Sequence, residues 1–264
     1  MKYSCYPFLV QSFNRQLLRI CLLSLSLVVT PTALAEYVPP PDQKPPSDYT
    51  TSSGPRGGCE GDGIPLTALA PKTHVGATLS THPTLAWFVP DSTIKPMEFR
   101  LYEYDAQGKP KPVGQPIQLE SSPGIMMLSL AREQLELTVG KTYLWQVTIL
   151  CDSDNDSSDL IARADMQVVQ MPLALEEKLA QVKPGLATVE LYASAGFWYD
   201  AMGEALQLAP PWQLGEDAVS LLRDLVNFAP NQTRREFYRA ELELIENTML
   251  ILRADKNCCI TPKD

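Results

Sequence analysis

The spacing of the apolar residues changes once along this chain, near Pro172, and no other feature constrains the fold as strongly. Between residues 59 and 171, apolar and polar positions alternate, as in strands that bury one face. Turn-forming residues such as Pro123 and Gly124 interrupt this alternation. After Pro172, apolar residues recur every three or four positions, which is the spacing of amphipathic helices. The sequence therefore predicts an α+β, multi-domain chain, with a β-sandwich domain over 59–171 and an α-helical domain over 172–254.

Seven strands are predicted in the first of these regions. Their approximate bounds are 77–80, 84–89, 97–105, 113–120, 125–130, 141–151 and 160–171. Short strands separated by frequent turns fit an antiparallel β-sandwich. In the sixth strand, alternation places Tyr143, Trp145 and Cys151 on the same face, which we expect to be the core face.

Five helices are predicted after the change of period. Their bounds are 173–181, 186–195, 197–208, 214–227 and 233–253. The last helix carries an apolar stripe whose members are spaced by four, three, four and three residues, namely Tyr238, Leu242, Ile245, Met249 and Leu252. Because a stripe of this kind must be removed from water, we expect this helix to pack against another element.

Residues 1–35 have the features of a secretory signal peptide. Three basic residues precede an apolar run over residues 20–29, which is shorter than the roughly 20 residues that a membrane-spanning helix needs. Ala33 and Ala35 then supply the small-x-small pattern that signal peptidase accepts. We expect cleavage before Glu36 and a periplasmic or secreted protein; an uncleaved N-terminal anchor is the alternative.

The residues at the two ends of the mature chain are predicted to lie outside the domains. Residues 36–58 consist largely of Pro, Ser, Thr and Gly, which predicts a disordered, mobile linker. The alternative for this segment is a ligand for a proline-reading domain. Residues 255–264 form a short polar tail.

The charge of the chain bears on its partners. Asp and Glu together number 31 and Lys and Arg 22, giving a formal net charge of −9. Nucleic-acid binding needs an excess or a cluster of basic residues to neutralise phosphate, and the sequence has neither. We therefore expect no nucleic-acid partner and, after signal cleavage, no transmembrane span.

Four cysteines follow the predicted cleavage site, at positions 59, 151, 258 and 259. In an oxidising compartment, cysteines form disulfides more often than metal sites, and no Cys-x-x-Cys motif suggests zinc. We predict a disulfide between Cys59 and Cys151. The neighbouring Cys258 and Cys259 lie in the polar tail, and three states stay open for them: free thiols, a vicinal disulfide or an intermolecular disulfide.

An acidic segment between the last two predicted strands is a candidate calcium site. Its carboxylates are Asp152, Asp154, Asp156 and Asp159. Alternating carboxylates offer the oxygen ligands that calcium prefers. However, Ser157 stands where a calcium loop of the helix-loop-helix type needs Gly, and Arg163 stands where it needs a closing Glu. A solvated hairpin turn is the alternative, and no other cofactor is expected.

Aromatic residues provide the candidate ligand-binding positions. Tyr102 and Tyr104 share the strand face opposite Phe99, and Trp212 is a tryptophan that the predicted core does not require, so these three could contact a sugar or a protein. His74 and His82 are the only histidines, and neither belongs to a recognisable catalytic motif. We therefore expect no enzymatic activity.

Two resemblances follow from short motifs. The segments Pro83-Thr84-Leu85-Ala86-Trp87 and Leu137-x-x-Gly140-x-x-Tyr143-x-Trp145 resemble those of fibronectin type III domains. The resemblance implies an immunoglobulin-like sandwich with a buried early tryptophan and a tyrosine corner, in which the Tyr143 hydroxyl bonds to the backbone. It covers about residues 64–171 and implies little about function.

Six motifs in order resemble those of a cyanobacterial family, domain of unknown function 928. They are RGGCEG, LTALAP, HPTLAWFVP, FRLYEYD, TYLWQVTILCD and GFWYDA, spread over residues 56–201. The resemblance implies an exported, envelope-associated protein and supplies no catalytic or ligand residues. The hypothesis that follows is a non-catalytic protein-interaction module of the cell envelope, with an unidentified envelope or extracellular protein as partner. A carbohydrate-binding module is the alternative, followed by a hydrolase.

Overall fold

Eight strands and five helices make up the part of the chain that the computed structural model describes. The described residues are 36–42, 44–47, 65–90, 93–133, 135–151, 159–210 and 213–258, without the side chains of 253–258. The strands are β1 Thr67–Ala68, β2 Gly76–Thr78, β3 Thr84–Val89, β4 Pro96–Tyr104, β5 Pro110–Glu120, β6 Gly124–Ser129, β7 Thr142–Ile149 and β8 Leu160–Val168. The helices are α1 Leu173–Leu179, α2 Leu186–Ser194, α3 Trp198–Leu208, α4 Gly215–Asn227 and α5 Gln232–Cys258.

The strands form two sheets. One has the order β1-β3-β6, and the other has the order β2-β8-β7-β4-β5. Every pair is antiparallel except β2 and β8, which run parallel, with Ala77 opposite Gln167. The α+β class with helices after the strands is therefore confirmed, and each of the seven predicted strands has a counterpart. No pattern in the sequence predicts β1, because two residues are too few to show alternation.

The two sheets contribute side chains to one core. Trp87 of β3 and Trp145 of β7 are fully buried, and their ring centroids are 6.4 Å apart. The predicted inward face of β7 is confirmed, because Tyr143, Trp145 and Val147 are all buried. Before this strand, the backbone N–H of Thr138 donates a hydrogen bond of 2.9 Å to the Tyr143 hydroxyl.

Helix α3 connects the helices to this core. Its Trp198 donates an indole hydrogen bond of 3.0 Å to the carbonyl of Leu69. The neighbouring Tyr199 accepts a bond of 3.0 Å from Trp145 Nε1 and donates one of 2.9 Å to the carbonyl of Asp165. A Cβ on Gly76 would lie 2.7 Å from the Tyr199 ring, so this approach of helix to strand requires glycine. Sheets and helices therefore share one hydrophobic core.

The described part of the Pro-rich segment, residues 36–42 and 44–47, follows the surface of this core, and we call it the N-terminal strap. Its Tyr37 is fully buried. Val38 N–H donates to the carbonyl of Ala193 at 3.1 Å, and the Lys44 carbonyl accepts from Val75 N–H at 3.1 Å. The structure thus differs from the expected mobile linker over these residues. The physical reason is that a single large aromatic side chain anchors a segment whose composition offers little else to bury.

Within the described residues, no helix has both the length and the hydropathy needed to cross a bilayer.

Candidate functional site

Three aromatic side chains meet where the strap is anchored to the core: Tyr37, His74 and Trp198. We call these three residues the strap anchor. The Tyr37 hydroxyl lies 2.7 Å from His74 Nε2, and the Tyr37 ring packs edge-on against Trp198 at a centroid distance of 5.0 Å. Burial lowers the pKa of His74 to about 4 and raises the pKa of Tyr37. His74 is therefore neutral at neutral pH and is enclosed by structural contacts, so the strap anchor serves stability.

The other histidine borders a cleft between the end of β2 and helix α3. The cleft is lined by Ser80, His82, Tyr192, Asp200, Glu204 and Gln207, among others. Asp200 accepts hydrogen bonds from Leu79 N–H at 2.9 Å and from the Thr78 hydroxyl at 3.3 Å. Burial raises the pKa of Asp200 to about 6. These bonds hold Thr78 and Leu79, at the end of β2, against α3. Asp200 therefore joins the sheet to the helix.

The two predicted tyrosines lie in different surroundings. The Tyr104 hydroxyl is 2.7 Å from both Asp165 Oδ1 and Ser47 Oγ, so it holds the end of the strap. Tyr102 instead borders a groove along β5 with Pro112 and Gly114. Tyr102 thus borders a groove and Tyr104 contacts the strap, while the third predicted binding residue, Trp212, lies outside the described residues. The binding role of the three residues stays a prediction.

The predicted calcium site falls mostly outside the described residues. Asp152, Asp154 and Asp156 are not among them, and Asp159 accepts a hydrogen bond of 3.0 Å from the backbone N–H of Cys151. Among the described residues, no group of three or more His, Cys, Asp and Glu side chains is arranged to hold a metal. The calcium site stays a prediction.

Only one of the two cysteines predicted to form a disulfide is among the described residues. Cys151 is disulfide-bonded, and Cys59 lies outside the described residues. The pairing of Cys59 with Cys151 stays a prediction.

A narrow apolar pocket lies between residues 67–73, which include β1, and helices α4 and α5. Its lining includes Ala68, Ala70, Leu222, Val226, Leu242 and Ile245. Lys72 and the buried Glu241 form an ion pair at this pocket, and the Lys72 ammonium lies 5.4 Å from the centroid of the Tyr238 ring. The Thr67 hydroxyl also donates to Glu241, at 3.4 Å. These contacts hold α5 on the body of the protein.

The same helix exposes a second set of apolar residues. The side of α5 that packs on the body contains Tyr238, Leu242 and Ile245, as the sequence predicted. Three large residues on a different side of the helix are exposed: Phe237 by 61%, Leu244 by 44% and Ile251 by 62%. We call these three the outer stripe. Leu250 is also 62% exposed, and it lies about 100° around the helix from Ile251.

The outer stripe was missed in the sequence because helical periodicity finds apolar residues but does not say which face is buried. The segment 237–252 contains both the buried set and the outer stripe. The apolar stripe predicted from the sequence contains the buried set, so the remaining apolar residues were not considered further. A signal was present, since the three residues are spaced by seven. Several exposed apolar residues aligned on one side of a helix mark interaction surfaces more often than single exposed ones do.

Comparison with known proteins places the chain in a family. No curated protein sequence matches it. The model of the family described as Domain of Unknown Function (DUF928) matches residues 51–229, so the match ends just before α5 begins at Gln232. Because this match covers more than half of the sequence, the chain belongs to the family of the Domain of Unknown Function (DUF928).

Proposed function

We propose that this protein is a non-catalytic interaction module of the cell envelope, periplasmic or secreted, which binds another protein chain through the outer stripe of α5. The observation that carries the proposal is the exposure of Phe237, Leu244 and Ile251 on one side of a helix whose other side is already buried. Three large apolar side chains aligned on one helix favour a helix-recognising partner.

The way in which α5 is held supports this role. Glu241 is paired with Lys72, and Arg223 of α4 pairs with Glu246 at 2.8 Å. The first half of the helix is thus fixed to the body, so the outer stripe is presented on a rigid support. A partner that binds a fixed helix does not have to compensate the entropy of ordering it.

The sandwich acts as a scaffold in this proposal. The strand orders β1-β3-β6 and β2-β8-β7-β4-β5 and the bond from Thr138 N–H to the Tyr143 hydroxyl support an immunoglobulin-like or fibronectin-III-like arrangement. Domains of this architecture often serve as extracellular supports, although the architecture alone does not define a function. The signal-peptide features of residues 1–35 support an envelope or extracellular location.

Affinity capture from envelope extract tests the proposal when three forms of the protein are compared. They are the wild type, the double variant Leu244→Glu/Ile251→Glu, and Leu173→Glu as a matched control, because Leu173 of α1 is 77% exposed. We expect a protein that is retained by the wild type and by the control and is lost from the double variant. Equal thermal stability of the three forms would show that each is folded. Retention of the same proteins by all three forms would contradict the role of the outer stripe.

A further inference from the structure

We propose that the apolar pocket between residues 67–73, α4 and α5 binds the aliphatic chain of a primary alcohol, and that the Lys72–Glu241 ion pair binds its hydroxyl group. The pocket lies on the covered side of α5, away from the outer stripe. This inference is therefore independent of the proposed function.

The volume of the pocket fits a short aliphatic chain. It is about 50 Å³. One water-sized group requires about 10 to 15 Å³ of such volume, so about four groups of this size fit into the pocket. A methylene group is similar in size to a water molecule, and the chain that fits is thus about four carbons long.

Three segments of the chain contribute apolar side chains to the walls of the pocket. They are residues 67–73, α4 and α5, with Ala68, Ala70, Leu222, Leu225, Val226, Leu242 and Ile245. The two alanines are small, so they leave space that a larger side chain would fill. Walls of this kind favour an aliphatic group over water, because removing methylene groups from water is favourable.

A charged pair lines the same pocket. The Lys72 side chain is 20% exposed and the Glu241 side chain 9%. A buried ion pair contributes little to net stability, because the loss of hydration offsets the attraction between the charges. Two apolar residues of similar volume would hold α5 on the body as well as this pair does. Recognition of a polar group is a role that only the charged pair can fill.

Both members of the pair have capacity for a further hydrogen bond. The Lys72 ammonium has three N–H donors, and within the described residues its hydrogen-bond acceptor is Glu241 Oε2. The Glu241 carboxylate accepts from Lys72 and, at 3.4 Å, from the Thr67 hydroxyl, which leaves lone pairs on both of its oxygens. A ligand group beside the pair can therefore accept from Lys72 and donate to Glu241.

A hydroxyl group matches this pair, because a hydroxyl accepts and donates hydrogen bonds at once. It is also uncharged, so it leaves the ion pair neutral. A carboxylate would lie beside Glu241 and an ammonium group beside Lys72, and either would lose its hydration in a site whose charges already balance. The observations therefore point to an alcohol rather than to a fatty acid or an amine.

Methyl-resolved NMR of the purified full chain tests the site, with 1-butanol as the probe. We expect saturable shifts of the methyl signals of Val226, Leu242 and Ile245, with a dissociation constant on the order of 1 mM for so small a ligand. Butanoate and butylammonium have the same chain with a charged head group. We expect each to bind at least about 10-fold more weakly than 1-butanol, because neither charge is balanced in the site.

Two variants test the parts of the pocket separately. Ala70→Leu fills the space and should abolish the shifts, whereas Ala131→Leu adds the same groups at an exposed position and is the matched control. Lys72→Met/Glu241→Met removes both charges together, so that neither is left buried and unpaired. It should bind 1-butanol about 10-fold more weakly than the wild type does, because the hydrogen bonds to the hydroxyl are lost. Thermal unfolding shows whether each variant is folded.

The wild-type titration decides the location of binding even if Ala70→Leu does not fold. Shifts that do not saturate, that lie outside the pocket or that are equal for the three probes would overturn the inference. Wild-type affinity in folded Ala70→Leu or in folded Lys72→Met/Glu241→Met would also overturn it. Leu244→Glu/Ile251→Glu, which changes the outer stripe, should bind 1-butanol as the wild type does, so the failure of either proposal leaves the other standing.

Discussion

The N-terminal strap and helix α5 have opposite relations between composition and burial. The strap is rich in proline and has no regular structure, yet its Tyr37 is fully buried. Helix α5 is 27 residues long, yet its Phe237 is 61% exposed. The difference shows that burial depends on whether a receiving surface exists. His74 and Trp198 form one for Tyr37, whereas the described part of the chain leaves most of the Phe237 side chain uncovered.

Replacing Tyr37 and Phe237 by alanine, one at a time, should give the largest difference in stability and so tests this comparison most strongly. Tyr37→Ala should lower the free energy of unfolding by about 3 to 5 kcal/mol, because it empties a fully enclosed site. Phe237→Ala should change it by no more than about 0.5 kcal/mol in the monomer, because that side chain is already in water. Urea unfolding under reducing, dilute conditions measures both. Equal losses in the two variants would show that the strap is not anchored as described.

The pH dependence of stability sharpens the comparison, because His74 belongs to the strap anchor. Its pKa of about 4 lies below the ordinary 6.5, so the unfolded chain binds more protons between these values and stability falls as pH falls from 6.5 to 4. The pKa of Asp200, about 6 against an ordinary 3.8, has the opposite effect: stability falls as pH rises from 3.8 to 6. The two contributions nearly cancel between about pH 4 and 6.

Asp200→Asn should remove this compensation. Relative to the wild type, the variant should lose roughly 1 to 3 kcal/mol of stability as pH is lowered from 6 to 4, since one pKa unit corresponds to about 1.4 kcal/mol. Urea titrations at several pH values measure the difference. Asn keeps an oxygen that can accept from Leu79 N–H, so the joint between sheet and helix is retained. A constant difference across this range would show that Asp200 titrates normally in the folded protein.

Gly196→Ala tests the path of the strap over the helices. Gly196 has a φ of +85°, and an added Cβ would lie 2.8 Å from Pro40 Cγ. We expect a loss of about 1 to 3 kcal/mol from backbone strain together with displacement of the strap. The control is Gly108→Ala, which has a similar φ of +74° and open space around its Cβ, and so reports the strain alone. Hydrogen exchange at Val38 should accelerate only in Gly196→Ala, and protection equal to that of the wild type would contradict the path.

The smallest expected effect concerns the other end of the strap. Tyr104→Phe removes the hydroxyl next to Asp165 and Ser47 and should cost about 1 kcal/mol. Tyr102→Phe on the same strand is the control, with a change of no more than about 0.5 kcal/mol expected. Thermal or urea unfolding compares them. A larger loss in the control would show that the strap does not depend on Tyr104.

The elements were predictable because their signals are local. The alternation in β7 identified Tyr143 and Trp145 as inward-facing, and the three-and-four spacing identified the buried set of α5. The strap and the outer stripe were not predictable in this way. A lone Tyr37 among prolines has no periodicity, and the residues that enclose it are 37 and 161 positions away in the sequence.

The amino-acid sequence was enough to predict where strands give way to helices and which face of most elements turns inward, because the backbone period converts residue spacing directly into geometry. The folded structure was needed to see that Tyr37 is enclosed, that His74 is neutral, that Tyr104 holds the strap, and which of two apolar stripes on α5 is covered. Each of these depends on contacts between distant residues, and the free energy of such contacts is set by the solvent that neighbouring elements exclude.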